Sequence, residues 1–417
     1  MGTFFEFARN QTLEQKNFSF RIFKDIVQSL DLTATQLKKI EEAYRGVGTY
    51  LANSDNPLLK GAEIYPQGSI RLRTAVKPLK SDEFDIDLIL YLPNANGASK
   101  DQIMNAVREH LMDNATYKPM LSELPRGFRI NYAREYHLDI TPGKDYLEFI
   151  RPGQPLWVPD KREQFKETNS KGLANWFDAN SSVTPIFLKN NQFFDAKANR
   201  SLEDIPDQND KSLLSILVQI LKRHRDEWAN RDGNTLGEYK PISVLITTLA
   251  THAYEYVISR KQNYDNEYDV LLDVIENMPQ FIENSNGNYY VRNPSMREEN
   301  YAEKWNRTKD SEGAMLQNAF GEWHYNVKST VESLAELSSQ GTDKLFNSFT
   351  DSFGEGPVKF ARNSWIESTN KDRKSNNIGV ALSTGGVVSL GATKDAHAAS
   401  VAPVSEVKSN TFYGSDH

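Results

Sequence analysis

The sequence predicts an α+β protein of two lobes, a mixed sheet flanked by helices followed by a mainly helical unit. Helix-periodic and strand-periodic segments are interleaved in the first third of the chain, whereas only helical spacing follows Ser212. The 417 residues match the length of two ordinary domains.

Residues 13–30 and 33–51 carry apolar side chains at helical spacing, and Asp31 and Thr33 mark the break between two helices. Residues 84–92 alternate as a strand, 100–112 read as a helix, and 127–132 and 135–141 read as strands turning at Ala133 and Arg134. A Pro- and Gly-bearing connector, 152–159, leads to TNSKGLANWF, a loop entering a short helix. In the second lobe Leu213, Leu217, Ile220 and Leu221 share one helical face, and Ile242, Leu245, Ile246 and Leu249 another. Residues 268–282 and 313–337 continue the helical pattern around a polar interruption at 284–300. The expected division is a catalytic lobe at 1–200, whose first helices are free to pack on the second lobe, a helical lobe at 201–370 and a disordered tail at 371–417. Between Asn376 and Thr411 the tail lacks aromatic residues, too little apolar area to offset chain entropy. Phe412 and Tyr413 near its end suit either a docking peptide or a neutral terminus.

With 38% hydrophobic and 25% charged residues the chain reads as soluble and globular, and no apolar run approaches the roughly 18 residues of a membrane span. The first residues lack the features of a secretory signal or a myristoylation motif, and a cysteine-free composition suits a reducing cytoplasm. Any metal must therefore be held by oxygen or imidazole. A net charge of −7 speaks against a general nucleic-acid binder.

The informative stretch is YPQGSIRLRTAVKPLKSDEFDIDLILYLP, residues 65–93. Alternation puts Phe84, Ile86, Leu88 and Leu90 on one face of its strand and Asp85 and Asp87 together on the other. Two adjacent, partly buried carboxylates repel, so one takes a proton unless a cation sits between them, and Mg²⁺ or Mn²⁺ prefers such ligands. Alone, the pair also fits an edge strand with a solvated face. Gly68-Ser69 before it offers backbone N–H groups to a phosphate if a helix opens there, or is an ordinary turn. In EYHLDITPG, Asp139 is a third acidic residue between apolar neighbours, fit for the same metal or for a hydrogen bond to the turn at Pro142-Gly143.

This order, Gly-Ser, then D-x-D on a strand, then a single Asp on a later strand, is similar to the motif set of the nucleotidyltransferase superfamily that includes DNA polymerase beta and poly(A) polymerase. More closely, PQGSIRLRTAVKP, EFDIDLILYL and YHLDITPG resemble the bacterial cGAS/DncV-like nucleotidyltransferases, the CD-NTases of CBASS anti-phage defence. The resemblance continues through LLSILVQILKRHRDEW, KPISVLITTLA, YAEKW and DSFGEGPV.

It implies a polymerase beta-like lobe and a cyclic di- or trinucleotide product made from ATP and other nucleoside triphosphates. Asp85, Asp87 and Asp139 would be catalytic and hold Mg²⁺ or Mn²⁺, with Gln67, Gly68 and Ser69 forming the nucleotide loop. Lys222 ends an apolar helical face and Ser243 lies in the first turn after Pro241; the animal cGAS family carries a lysine and a serine on the triphosphate at similar spacing, so the resemblance gives those roles to Lys222 and Ser243. Without it, a solvated lysine and a capping serine are the plainer readings, with Arg223 and Arg225 as basic rim residues. The implied partners are a product-binding effector and either a ubiquitin-like conjugation system or a HORMA-type regulator; a nucleic-acid activator stays open. The rival activity is a linear product, from an oligoadenylate synthetase or an enzyme that modifies RNA or protein. Tyr65, Trp176 and Trp228 are more ordinary as core than as base-stacking groups, and His137 as a satisfied strand histidine than as a tuner of Asp139.

Overall fold

Two apolar faces of the first helices diverge, and that divergence sets the architecture. The computed structural model describes residues 13–79, 83–132, 135–146, 151–187, 211–260, 263–374, 378–381, 387–389 and 404–406. Helix α1 (Leu13–Ser29) buries Phe20, Phe23, Ile26 and Val27 in the core of the helical lobe. Helix α2 (Ala34–Ala52) starts at a capping box formed by Thr33 and Gln36 and buries Ile40, Tyr44, Val47 and Leu51 against the sheet instead.

The sheet is built from β1 (Glu63–Pro66), β2 (Phe84–Tyr91), β3 (Leu121–Leu124), β4 (Gly127–Tyr132) and β5 (Tyr136–Asp145), in the order β1-β2-β5-β4-β3. Within this sheet, among the described residues, only β2 and β5 run parallel; the one-turn helix α3 (Gly68–Arg71) precedes β2, and the crossover helix α4 (Lys100–Asp113) follows it. Phe84, Ile86, Leu88 and Leu90 meet Ile103 and Val107 of α4 in a shared core, which leaves the opposite face of β2 for the carboxylates. The 152–159 connector holds a strand, β6 (Leu156–Pro159), which pairs with β5 and with β7 (Phe165–Thr168). Helix α5 (Ser170–Ser181) follows; its Ala174 and Phe177 join the helical core. The expected turn at 133–134 lies outside the described residues.

A short parallel pair, β8 (Ile186–Phe187) with β9 (Asn263–Tyr264), spans the second lobe's edge. The lobe itself holds α6 (Leu213–Ala229), α7 (Ser243–Arg260), α8 (Glu267–Asn277), α9 (Glu312–Leu337), α10 (Thr342–Phe353) and α11 (Glu355–Lys374). Helix α8 stops ten residues into the expected 268–282 helix, since Pro279 enters a 3₁₀ turn. The polar interruption forms two small hairpins, 283–290 and 292–300. Phe23 of α1 sits edge-on to Phe349 and Phe353, with ring centroids 5.0 and 5.2 Å away.

The segment expected to be disordered contains the end of α11 and three short antiparallel strands, β10 (Ile378–Ala381), β11 (Val387–Ser389) and β12 (Val404–Glu406). Their β-branched Val and Ile residues favour extended pairing even without aromatic packing. Phe412 and Tyr413 lie outside the described residues.

Candidate active site

The parallel register of β2 and β5 sets Asp87 directly beside Asp139 and Asp85 beside His137. The alternation read from the sequence thus extends across strands, and all three carboxylates line one cleft of about 560 Å³ with Gly68, Ser69, Lys222 and Ser243. Gln67 contributes backbone: its N–H donates to Asp87 O at 2.8 Å, while its side chain makes no capping bond. Gly68 adopts φ +61°, and a Cβ there would come within 2.6 Å of Asp87 Oδ2. Only glycine lets the loop lie this close to that carboxylate. The helix that opens at Gly68 is four residues long, so what this stretch turns toward the cleft is a loop with the Ser69 hydroxyl rather than the terminus of a long helix.

Burial, then the neighbouring Asp139 and Asp85, push the Asp87 carboxyl up to about 7. One cation is already present. Arg129 of β4 donates to both oxygens of Asp139 at 2.6 and 2.7 Å and to Asp85 Oδ1 at 3.1 Å. Its register position opposite Asp139 makes this contact unavoidable, yet nothing in the linear sequence marks an arginine ten residues upstream as a partner. Among the described residues no three acidic or imidazole groups form a ready-made metal cage. The donor set fits a hard divalent ion nonetheless: oxygen ligands only, and in Asp87 a carboxylate whose charged form burial and its acidic neighbours disfavour and added positive charge would favour.

The helical side of the cleft belongs to α6. Its polar stripe reads the chain that follows Ser69: Ser215 Oγ donates to Leu72 O at 3.4 Å, Gln219 Nε2 to Ala75 O at 2.6 Å, Lys222 Nζ to Thr74 O at 3.0 Å, and Arg223 Nη1 to Lys77 O at 3.3 Å. Lys222 also donates to Thr74 Oγ1 at 2.8 Å and is 3% exposed. It is therefore no solvated lysine. Burial, then Arg225, pull its ammonium down to about 7. Arg223 and Arg225 are not rim residues either: both are buried, Arg223 bonding Phe353 O and Glu227, Arg225 bonding Pro241 O and Ser243 Oγ. The apolar spacing of α6 was readable; the targets of its opposite face depend on a loop 140 or more residues earlier.

Tyr65 and Trp228 are buried, at 2% and 5% exposure, and Trp176 packs on His252, so none stands free over the cleft. His137 Nε2 meets Glu83 at 2.9 Å instead of Asp139.

Residues 20–180 match the family model described as the Second Messenger Oligonucleotide or Dinucleotide Synthetase domain, SMODS. They span the Gly-Ser loop and all three carboxylates. Residues 20–180 are a CD-NTase-type synthetase domain. A c-di-GMP synthase of Roseivirga ehrenbergii is 26% identical over 394 residues, 93% of this chain and 95% of that protein. Among solved structures, the Bradyrhizobium diazoefficiens CD-NTase CdnG in complex with GTP matches 83% of this chain and 98% of its own, with a TM-score of 0.60 and 19% identity. The Escherichia coli MS115-1 CdnC with ATP matches 81% and 97%, at a TM-score of 0.53 and 13% identity. These likenesses show that the chain shares the fold of those two proteins across both lobes. Lys222 and Ser243 lie beyond the residues the family model matches.

Proposed function

We propose that this protein is a cyclic oligonucleotide synthase that joins nucleoside triphosphates into a cyclic di- or trinucleotide, as a signal in bacterial anti-phage defence. The observation that carries the reading is the side-by-side placement of Asp87 and Asp139, with Asp85 two residues away on the same face, in a cleft shared with Ser69, Lys222 and Ser243. The full-length similarity to a c-di-GMP synthase supports the cyclic product.

An Mg²⁺ or Mn²⁺ ion held by Asp85, Asp87 and Asp139 would neutralise the donor triphosphate and lower the pKa of the attacking ribose hydroxyl. The chain's own groups do the rest. Ser69 and the loop N–H groups donate to the β- and γ-phosphates, and Gly68 keeps the loop against Asp87. Lys222 has one N–H beyond the two it gives Thr74, and a bound triphosphate restores its charge. Asp139 is the candidate acceptor of the hydroxyl proton once Arg129 releases one of its oxygens.

The product would act on an effector protein. A CdnC from E. coli has been solved as a complex with HORMA-deltaN, which supports a HORMA-type regulator here; a ubiquitin-like conjugation system is the other candidate. No helix among the described residues is long and apolar enough to cross a membrane, and a cytoplasmic site suits a triphosphate-consuming enzyme. The test is incubation of the purified protein with Mg²⁺ and labelled ATP, GTP, CTP and UTP, then phosphatase and mass spectrometry. Phosphatase-resistant cyclic products are expected; linear or protein-linked nucleotide alone would overturn the reading.

A further inference from the structure

Arg225 is buried at 7% exposure yet lies on the cleft wall, and its donors are almost all committed. Its Nε donates to Asp226 Oδ1 at 3.0 Å, its Nη2 stands 2.9 Å from the same oxygen, and its Nη1 donates both to Pro241 O and to Ser243 Oγ, each at 3.0 Å. Asp226 is held in turn by Lys240 Nζ at 2.8 Å. Burial works against the Asp226 carboxylate, but Arg225 and Lys240 hold it below its ordinary range.

A guanidinium can only donate, so Ser243 Oγ must accept from Arg225. The single hydroxyl proton of Ser243 is then unused by that contact and points elsewhere, and Ser243 lines the cleft. The same guanidinium fixes the Pro241 carbonyl, and with it the entry of the chain into α7. We propose that Arg225, anchored by Asp226, is a positioning residue that sets the Ser243 hydroxyl as a donor to the substrate's triphosphate. This rests on the reading of the cleft as a triphosphate site, and it adds a residue pair that acts through Ser243 rather than on the nucleotide.

The test is a double-mutant cycle on binding of an ATP analogue whose α–β bridge cannot be cleaved, with AMP as the control ligand. Ser243→Ala and Arg225→Gln are each expected to weaken analogue binding by about tenfold, the scale of one charge-assisted hydrogen bond. The double variant should bind no more weakly than Ser243→Ala alone, and AMP binding should stay within about twofold of wild type, because the lost donor faces phosphates that AMP lacks. Additive losses, or equal losses for AMP and the triphosphate, would overturn the positioning role. Arg225→Lys keeps the buried charge but cannot reach Asp226, Pro241 and Ser243 together; it should retain the wild-type melting temperature more closely than Arg225→Gln and still lose affinity, and wild-type affinity in that variant would also sink the proposal. A wild-type protein that fails to bind the analogue would count against the triphosphate site itself, an outcome separate from additivity.

Discussion

The floor and the wall of the cleft are built on opposite electrostatic terms. The floor, on β2 and β5, crowds Asp85, Asp87 and Asp139 together with one arginine to offset them, and Asp87 remains at about 7. The wall, on α6, meets loop carbonyls with a donor at each of Ser215, Gln219, Lys222 and Arg223. The floor is frustrated without a ligand, and the wall is satisfied without one except at Lys222, whose buried ammonium is pulled down and keeps one N–H unspent. Frustration of this kind is stability given up for function. Floor substitutions should therefore damage activity while leaving the fold intact or firmer, whereas wall substitutions should damage both.

The sharpest separation is expected at Asp87. Asp87→Asn should lower nucleotide transfer by at least about a thousandfold, on the order of 4 kcal/mol of transition-state stabilisation. The same variant should melt several degrees higher than wild type in metal-free buffer at pH 8, because a buried carboxylate forced to ionise is replaced by a neutral amide. A lower melting temperature would break the contrast between floor and wall.

Next in size is Lys222→Met, expected to weaken triphosphate binding by roughly ten- to a hundredfold, as loss of a charged donor does. Its effect on stability should follow pH. The native ammonium gives up its proton near 7, against 10.5 for the ordinary side chain. Between those values the unfolded chain binds more protons than the native one, so wild-type stability should rise relative to the variant as pH climbs through that window. Below pH 7 both states are charged and the difference between the two proteins should be flat. Melting curves at pH 6.5, 8 and 9.5 measure it.

Gly68→Ala ought to cost about 1 kcal/mol or more of stability, since alanine is strained at φ +61° and its Cβ meets Asp87, and to reduce turnover by more than that loss explains. The smallest effect on activity is expected at Arg129→Gln. By removing the guanidinium from Asp139 and Asp85 it should tighten Mn²⁺ binding several-fold in the absence of nucleotide, read by electron paramagnetic resonance. Weaker Mn²⁺ binding would mean that Arg129 aligns the carboxylates for the ion rather than competing with it.

The same contrast governs what could be read from the chain. The floor is a matter of period two: the alternation of FDIDLILYL put both aspartates on one face, and Asp139 between Leu138 and Ile140 had the same signature. Arg129 escaped because its meaning depends on which strand lies beside β5, which alternation does not encode. From spacing alone the wall was legible only as an apolar stripe; Lys222 and Ser243 were reached through the family resemblance. Its polar stripe looked like solvent-facing surface, since the Leu72, Thr74, Ala75 and Lys77 carbonyls it serves belong to a distant loop. Arg225 was taken for rim by the same logic. The tail strands escaped for a different reason: composition judged the whole segment, whereas pairing needs only a few β-branched residues in register.

Helix α1 belongs to the lobe completed last. Its Arg21 donates to Ser368 of α11 across 347 residues, and Phe23 is enclosed by Phe349 and Phe353. During synthesis, therefore, α1 leaves the ribosome with its apolar face unmatched while the entire sheet lobe is made and can close by its own shorter-range contacts. The lobe that carries the carboxylates is in effect an insertion within the helical one, held at both of its ends. The cleft needs α6 and the start of α7, which follow the sheet lobe in the chain, so the carboxylates can be folded before the cleft exists, while α1 waits for α10 and α11 to cover its apolar face.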